Sequence, residues 1–496
     1  MRVPLATISI IVAFAMPVGA QEEHQHHPAP EHLGTVRFET SCAPAVSAAF
    51  NRAVALLHSF AYESADTGFA DVVDRDPHCA LAHWGRAMTH YHQLWDVPVG
   101  AGLVAGVAEI NQAVTIGSAT PRERALITAL GTYYANADQV PPTTRAMRYS
   151  DAMARVARDY PADDEIATFY ALSLVATASP TDRTHERQKR AADILEPIWK
   201  RQPDHPGVPH YLIHAYDSAE LAQRGLPAAR AYAKIAPSAP HALHMPSHIF
   251  TRLGLWDDSI ASNIAARDAA RAQGDVGEEL HAMDYLTYAY LQRGRAADAA
   301  KVVADLKGMP GLSGSSFKIG YAGNAMPVRL AIEARNWSAA SQLTPMPGSS
   351  PQVAAIVWWA RVLGKLRASP PAFADADIAK LQACREALRG SKDSYWMAQV
   401  DALLKSAQGW RAAAAGDPGA AVAALTAAAD EEDAWEKLPL TPGPIVPARE
   451  QLGELLLTLN RPHEALKAFN AALTLAPGRL GASRGVAETE RRIRSL

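Results

Sequence analysis

Apolar and small residues recur along this chain with the three-to-four-residue spacing of a single helix face. The C-terminal part shows this most clearly. Leu452 and Leu456 share a face of one predicted helix, and Ala465 and Phe469 share a face of the next. The segment Asn460-Arg-Pro lies between them, and proline is typical of helix boundaries. The sequence therefore predicts a helical hairpin in this region.

The same skeleton returns along most of the chain. Ala65 and Phe69 form one copy, and Leu286, Tyr290 and Ala299 belong to another. Roughly ten such hairpins cover most of residues 40–490, and such regular repetition indicates a repeat array. Alanine is frequent, and aromatic residues make up only 7% of the chain. This composition favours close-packed helices over strands. The predicted fold class is all-α.

This skeleton resembles the tetratricopeptide repeat (TPR), a helix–turn–helix unit of about 34 residues. The segments 210–217 and 241–250 are similar to those of exported bacterial TPR proteins. The resemblance covers nearly the full chain and implies a TPR-like α-α superhelix. It also implies that the first helix of each hairpin lines a concave groove, and that this groove commonly binds a peptide or protein partner.

The sequence suggests four segments. Residues 1–20 have the pattern of a signal peptide, with Arg2 before an apolar run and a small-residue cleavage site at 18–20. Residues 21–40 are predicted to be a flexible, histidine-rich tail. Residues 41–437 form the TPR-like superhelical array with a His-lined groove, and residues 438–496 hold a proline-rich connection and a last repeat. The expected location is therefore periplasmic or secreted, and no later apolar stretch is long enough to span a membrane.

Charge and missing motifs exclude several function classes. The formal net charge is −3, which argues against nucleic acid as a partner. The sequence contains no HExxH, GxSxG or P-loop motif. Zincin protease, serine hydrolase and P-loop nucleotidase activities are therefore unsupported.

The chain has three cysteines. Cys42 and Cys79 are separated by about the length of one helical hairpin, so neighbouring repeats would place them side by side. Export to an oxidising compartment permits a disulfide between them. Two buried thiols are the alternative. Cys384 then has no partner and is expected in the core.

Histidines are concentrated in three neighbouring repeats. His241, His244 and His248 have i, i+3, i+7 spacing, and His210 and His214 have i, i+4 spacing, so each set lies on one helix face. Pro246 leaves two possibilities open: a kinked helix through residues 241–250, or a new helix that starts at Pro246.

Neutral imidazoles bind copper, zinc, iron and nickel, and carboxylates complete many such sites. The sequence therefore predicts a transition-metal site, with copper favoured because export brings the protein to both the metal and oxygen, and with zinc or iron as alternatives. Either two ions bind, or some of the histidines orient ligands or transfer protons. The candidate ligands are His210, His214, His241, His244, His248, His281 and Asp284.

Two functions remain open at this stage. The first is a metal site that either catalyses oxidation or hydrolysis or only binds the metal. The second is a non-enzymatic TPR scaffold whose groove histidines contact a peptide. A second cluster, His58, His83, His90 and His92, is expected to pack between repeats or to line the groove, and the alternative is that His58 or His83 joins the main site.

Overall fold

The computed structural model describes residues 31–94, 98–390 and 393–495. The predicted signal peptide and most of the predicted tail lie outside these ranges. Within them the regular structure is helical, which confirms the all-α fold class. No helix in the described part of the chain is long and apolar enough to cross a membrane.

A short 3-10 helix at Pro44–Val46 precedes a continuous series of α-helices. Helices α1 to α12 span, in order, Ser47–His58, Tyr62–Arg75, Ala80–Thr89, Gly100–Ile116, Pro121–Tyr134, Pro142–Asp159, Asp164–Ala176, Glu186–Arg201, Gly207–Tyr216, Ala222–Ile235, Pro240–His244 and Pro246–Arg252. Helices α13 to α24 span Trp256–Gln273, Val276–Gln292, Ala296–Gly308, Phe317–Glu333, Trp337–Gln342, Pro351–Leu366, Asp375–Arg389, Ser394–Ala414, Pro418–Asp433, Ala448–Thr458, Pro462–Leu475 and Leu480–Arg494.

Small residues let consecutive helices approach closely around an aromatic ring. Phe469 on α23 is buried between α22 and α24. A Cβ atom added at Gly453 would lie 2.7 Å from this ring, and one added at Gly485 would lie 2.4 Å from it. Phe69 and Gly85 form the same contact near the N-terminus. These are the aromatic and small positions expected from the repeat pattern.

Each helix packs mainly against its neighbours in sequence, as in a TPR-like superhelix. Helices that are distant in sequence also meet: α1 packs against α9, and α14 packs against α24. The contact between α1 and α9 brings the C-terminal end of α1 beside the histidines of α9. This contact buries histidine side chains that the sequence analysis expected in an open groove.

Residues 32–40 differ from the predicted flexible tail. Leu33, Val36 and Phe38 are buried. The backbone of His32 exchanges hydrogen bonds with Ser238, and the Thr35 amide donates to the Asp204 carbonyl at 2.9 Å. The apolar side chains of this segment join the core: the Phe38 ring centroid lies 5.5 Å from that of Phe50 on α1 and 5.6 Å from that of Trp84 on α3.

The structure also places the cysteines and the proline-rich connection. Cys42 and Cys79 form a disulfide with a Cα–Cα distance of 4.8 Å, and Cys384 is a partly buried free thiol. Residues 438–447 lie against α14 and α16, where the carbonyl oxygen of Thr441 accepts a hydrogen bond from the Tyr285 hydroxyl at 3.0 Å. This connection therefore packs in the interior beside the histidine-bearing repeats.

Candidate metal centre

Four helices carry the candidate ligands into one region. Helix α9 carries His210 and His214, and α14 carries His281. Pro246 divides the expected helix into α11 and α12, with Met245 in right-handed helical conformation at the junction. The chain thus bends without losing its helical path. His241 and His244 lie on α11, so they do not fall in an irregular connection.

The histidines form two groups of three, and in each group the potential ligand nitrogens lie within 4.8 Å of one another. We call them the first triad and the second triad. The first triad is His210, His214 and His241, and the second triad is His244, His248 and His281. All six side chains are buried, and His214 is the most exposed at 7%.

The geometry of the two triads is similar. In the first, the Nε2 atoms of His210 and His214 are 3.1 Å apart, and the rings of His210 and His241 have centroids 5.0 Å apart. In the second, the Nε2 atoms of His244 and His248 are 3.0 Å apart. The His281 ring centroid lies 4.3 Å from that of His244. Each triad therefore converges on its own point.

The triads lie side by side. The ring centroids of His214 and His248 are 5.8 Å apart, and those of His241 and His244 are 6.1 Å apart. Every triad member thus has imidazole neighbours within its triad, and two pairs of rings connect the triads. The arrangement fits two adjacent ions better than one ion with six ligands, because each convergence point has its own three rings.

Hydrogen bonds outside the triads fix the ring orientations. His210 Nδ1 faces the carbonyl oxygen of His58 at 2.6 Å. His244 Nδ1 faces Asn263 Oδ1 at 2.7 Å, and His248 Nδ1 faces Asp217 Oδ2 at 2.9 Å. These oxygens can only accept, so each Nδ1 carries the proton and donates it. Such partners are typical of metal-binding histidines, because they leave Nε2 with a free lone pair.

In the second triad, the tautomers of His244 and His248 place two lone pairs against each other, and a bound cation would remove this repulsion. The Asn263 amide nitrogen donates to the Ser259 carbonyl at 2.7 Å, which fixes Oδ1 toward His244. His244 and His248 therefore point two Nε2 lone pairs at each other across 3.0 Å. Two nitrogens bound at about 2.0–2.1 Å to one tetrahedral ion lie roughly 3.3 Å apart. The observed separation is close to that of two ligands of one metal.

A third buried cluster differs from the two triads in its hydrogen bonding. His58 Nε2 and His205 Nε2 lie 3.0 and 3.1 Å from the two oxygens of Glu165. The Tyr211 hydroxyl is 2.9 Å from His58 Nδ1, and the Gly207 amide donates to His205 Nδ1 at 3.1 Å. Every ring nitrogen here has a complementary partner, and Glu165 accepts from both rings. This cluster is complete as a hydrogen-bond network and supports the His58 carbonyl beneath the first triad.

Burial controls the protonation of the triads. It lowers the pKa of His248 to about 4, although the hydrogen bond to Asp217 raises it. Burial, together with the charge on neighbouring histidines, also lowers the pKa of four further triad members well below its usual value: His210, His214, His244 and His281. Neutral imidazoles are the form that binds metal ions.

Charged side chains lie next to the second triad without being candidate ligands. Asp217 accepts hydrogen bonds from His248, from Arg252 Nε at 2.9 Å and from Lys437 Nζ at 2.8 Å. Burial alone would raise the pKa of Asp217, but the charges of Lys437 and Arg252 hold it well below its usual range. Burial lowers the pKa of Lys437 to about 8. Asp217 is thus a fixed anion that orients His248.

Asp284 does not join the site, which corrects its assignment as a ligand. Its carboxylate pairs with the buried guanidinium of Arg329, at 2.8 Å to Nε. The i, i+3 spacing from His281 is present on α14, but Arg329 from α16 occupies the carboxylate. Helix spacing alone could not reveal this partner from two helices further along the chain.

Two of the acceptors that orient the rings, Glu278 and Asn263, were not identified from the sequence. Glu278 accepts from His241 Nδ1 at 3.2 Å and also pairs with Lys318. Glu278 lies one turn before His281, a spacing that could have identified it, whereas Asn263 had no such signal. His83 pairs with Glu109 at 2.7 Å and belongs to neither triad.

No protein-family model matches the chain, and no curated protein sequence matches it. Similar solved structures include the APC/C hetero-tetramer Cut9–Hcn1, with 10% identity and a TM-score of 0.39, covering 91% of this chain and 77% of that one. The human IFIT1 dimer with m7Gppp-AAAA has 10% identity and a TM-score of 0.41, covering 84% and 90%. The P58(IPK) TPR domain has 11% identity and a TM-score of 0.22, covering 91% and 99%. These neighbours are TPR-repeat proteins, and at such values the likeness carries no conclusion about function.

Proposed function

We propose that this chain is an exported metalloprotein that binds two transition-metal ions, one in each histidine triad. The observation that carries the proposal is the pair of Nε2 lone pairs facing each other in the second triad at 3.0 Å. A metal ion satisfies both nitrogens at once. The matching Nε2 separation in the first triad extends the proposal to a second ion.

The ligand chemistry favours a borderline metal. Six imidazoles offer nitrogen donors without thiolate or carboxylate, a set that suits copper, zinc or iron. Copper is our first choice, because a protein outside the cytoplasm meets both the metal and oxygen. Export is supported by the signal-like residues 1–20 and by the disulfide between Cys42 and Cys79.

Three protein ligands per ion leave coordination positions for a small molecule. Bound metal ions would supply oxygen-dependent oxidation if they are redox-active, or activation of water for hydrolysis if they are not. The chain's own residues hold His210, His244 and His248 in fixed tautomers, and the burial of both triads excludes bulk water. An oxidoreductase or a hydrolase is thus the enzyme class proposed, and the bound metal distinguishes the two.

Metal analysis of the full-length mature protein tests the proposal. We expect about two equivalents of metal after reconstitution with copper or zinc, one for each triad. The variant His244→Ala/His248→Ala should retain about one equivalent, and so should His210→Ala/His214→Ala. A matched control is His78→Ala/His463→Ala, which removes two exposed histidines and should keep both ions.

Two results would contradict the proposal. The first is less than about 0.1 equivalent of copper, zinc, iron or nickel in the folded wild-type protein. The second is unchanged metal content in both triad variants. Far-ultraviolet circular dichroism shows whether each variant keeps its helices, so that loss of metal is separated from loss of fold.

The alternative function, a scaffold whose groove histidines contact a peptide, is not favoured at this site. All six histidines are at most 7% exposed, so a peptide on the surface does not reach them. Binding of a peptide or protein partner through another part of the concave surface stays a prediction.

A further inference from the structure

A cavity of about 120 Å³ adjoins the first triad at His214. It extends from the exposed Ser179 at the surface to His214 inside, and Lys437 and Asp217 form part of its wall. His214 is the most exposed of the six triad histidines. This cavity is therefore a route by which a small molecule reaches the triads from solvent.

Two polar atoms in the wall have no hydrogen-bond partner. They are His185 Nδ1 and Gln188 Oε1, and both are shielded from solvent. The His185 side chain is 3% exposed. Buried polar atoms are nearly always satisfied, and leaving one unpaired costs about 1–3 kcal/mol. Two of them in one cavity indicate a polar occupant.

Both atoms call for a hydrogen-bond donor. A glutamine carbonyl oxygen only accepts. His185 Nε2 lies 3.7 Å from Glu220 Oε2, which is too far for a hydrogen bond, but the negative charge of the carboxylate favours the proton on that nitrogen and leaves Nδ1 as an acceptor. His185 is the N-cap residue of α8 and Gln188 lies in its first turn, and both side chains line this cavity. The occupant thus presents two donor groups toward α8.

The rest of the wall sets the size and polarity of the occupant. Val175, Leu438 and Pro439 supply apolar surface. A cavity of about 150 Å³ in another protein holds one benzene molecule. The space beside His214 is slightly smaller, at about 120 Å³, so it suits a single ring or a chain of similar length.

We propose that this cavity is the substrate site of the metal centre, and that the substrate is a small dihydroxy compound of about the size of one six-membered ring. Its hydroxyl groups donate to His185 Nδ1 and Gln188 Oε1, and its apolar edge packs on Val175 and Leu438. The end nearest His214 faces the first triad. The role as a substrate site rests on the proposed function, whereas the recognition chemistry rests on the cavity alone.

The test uses 1,3-dihydroxybenzene as the probe and 1,3-difluorobenzene as a control of similar size without donors. Binding is measured by titration calorimetry on the full chain loaded with redox-inert zinc, and again on the metal-free full chain. We expect the dihydroxy probe to bind both forms and the difluoro compound to bind at least tenfold more weakly. Gln188→Leu and His185→Phe should each weaken the probe about tenfold, since each removes one hydrogen bond.

A third variant protects the test against misfolding. Ala178→Leu fills the cavity from a loop and leaves both polar atoms in place, so it should abolish probe binding while metal content stays at the wild-type value. Equal binding of the two probes, or wild-type probe affinity in Gln188→Leu and Ala178→Leu, would overturn the proposed site. Absence of metal with selective probe binding would overturn the metal centre and leave the cavity assignment standing.

Discussion

At the scale of single residues, the triads depend on oxygens that cannot donate a proton. A carbonyl, an amide oxygen and a carboxylate each accept from one Nδ1, for His210, His244 and His248 respectively. Each acceptor fixes both the tautomer and the angle of its ring. The metal affinity of a triad should therefore respond to residues that never touch the ion.

Asn263 gives a clean test of this dependence. Asn263→Leu removes the acceptor for His244 Nδ1, so we expect the affinity of the second triad for metal to fall about 10–100-fold. Asn263→Asp keeps an oxygen at this position and should retain affinity within a few-fold of wild type. Competition with a chelator of known affinity measures both. Equal metal affinity in Asn263→Leu and the wild type would show that the bond does not orient a ligand.

Glu432 belongs to neither triad and makes stability depend on pH. Burial raises the pKa of Glu432 to about 8, and the charge of Asp433 adds to the rise, although the bond from the Ala448 amide lowers it. Between the usual pKa and pH 8 the unfolded chain loses this proton while the folded chain keeps it. The free energy of unfolding therefore falls as pH rises through this range.

Glu432→Gln removes the ionisation and preserves an oxygen for the Ala448 amide. The free energy of unfolding of Glu432→Gln, taken relative to wild type, should rise by about 1–3 kcal/mol when the pH is raised from 5 to 8. Urea denaturation at both pH values measures the difference. A stability difference that is the same at pH 5 and pH 8 would mean that Glu432 does not titrate as proposed.

At the scale of helices, close approach of consecutive elements depends on positions with no side chain. Gly453 faces the ring of Phe469, and a Cβ there would lie 2.7 Å from a ring carbon. Gly131 also lies inside a helix, α5, but a Cβ there would meet nothing within 4 Å. The two glycines therefore separate the effect of packing from the effect of helix propensity.

Gly453→Ala should lower the free energy of unfolding by about 1–3 kcal/mol, because α22 or the Phe469 ring has to move. Gly131→Ala should raise it by roughly 0.5–1 kcal/mol, since alanine is the better helix former. Chemical denaturation of both variants provides the measurement. Equal effects at the two sites would show that Phe469 accommodates a methyl group without strain.

Helix position and ligand spacing were accessible from sequence, because both follow local periodicity. The faces carrying His210 with His214, and His244 with His248, were predicted from the sequence, and each forms part of one triad. The division of the six histidines into two triads was not predicted, because it depends on how α9, α11, α12 and α14 pack. The pairing of Asp284 with Arg329 and the burial of residues 32–40 likewise depend on contacts between segments far apart in sequence.

At the scale of the whole molecule, the site is closed by repeats that are distant in sequence. The His58 carbonyl at the end of α1 meets His210 on α9, and Lys437 near the C-terminal repeats meets Asp217. The N-terminal, central and C-terminal parts of the array therefore share one buried polar region. Ligand binding in this region should stabilise the fold as a whole, beyond the helices that carry the ligands.

Metal loading should consequently raise the midpoint of thermal unfolding of the entire chain. Binding only to the folded state adds RT ln(1 + [L]/Kd), about 2.7 kcal/mol for one site at a free-metal concentration one hundred times Kd. We expect a single, more cooperative transition in differential scanning calorimetry with metal than without. His244→Ala/His248→Ala should lose roughly half of the increase, while His78→Ala/His463→Ala should keep it. If only a minor early transition moved with metal, the triads would stabilise their own repeats alone, and the contacts of His58 and Lys437 would not link the site to the rest of the array.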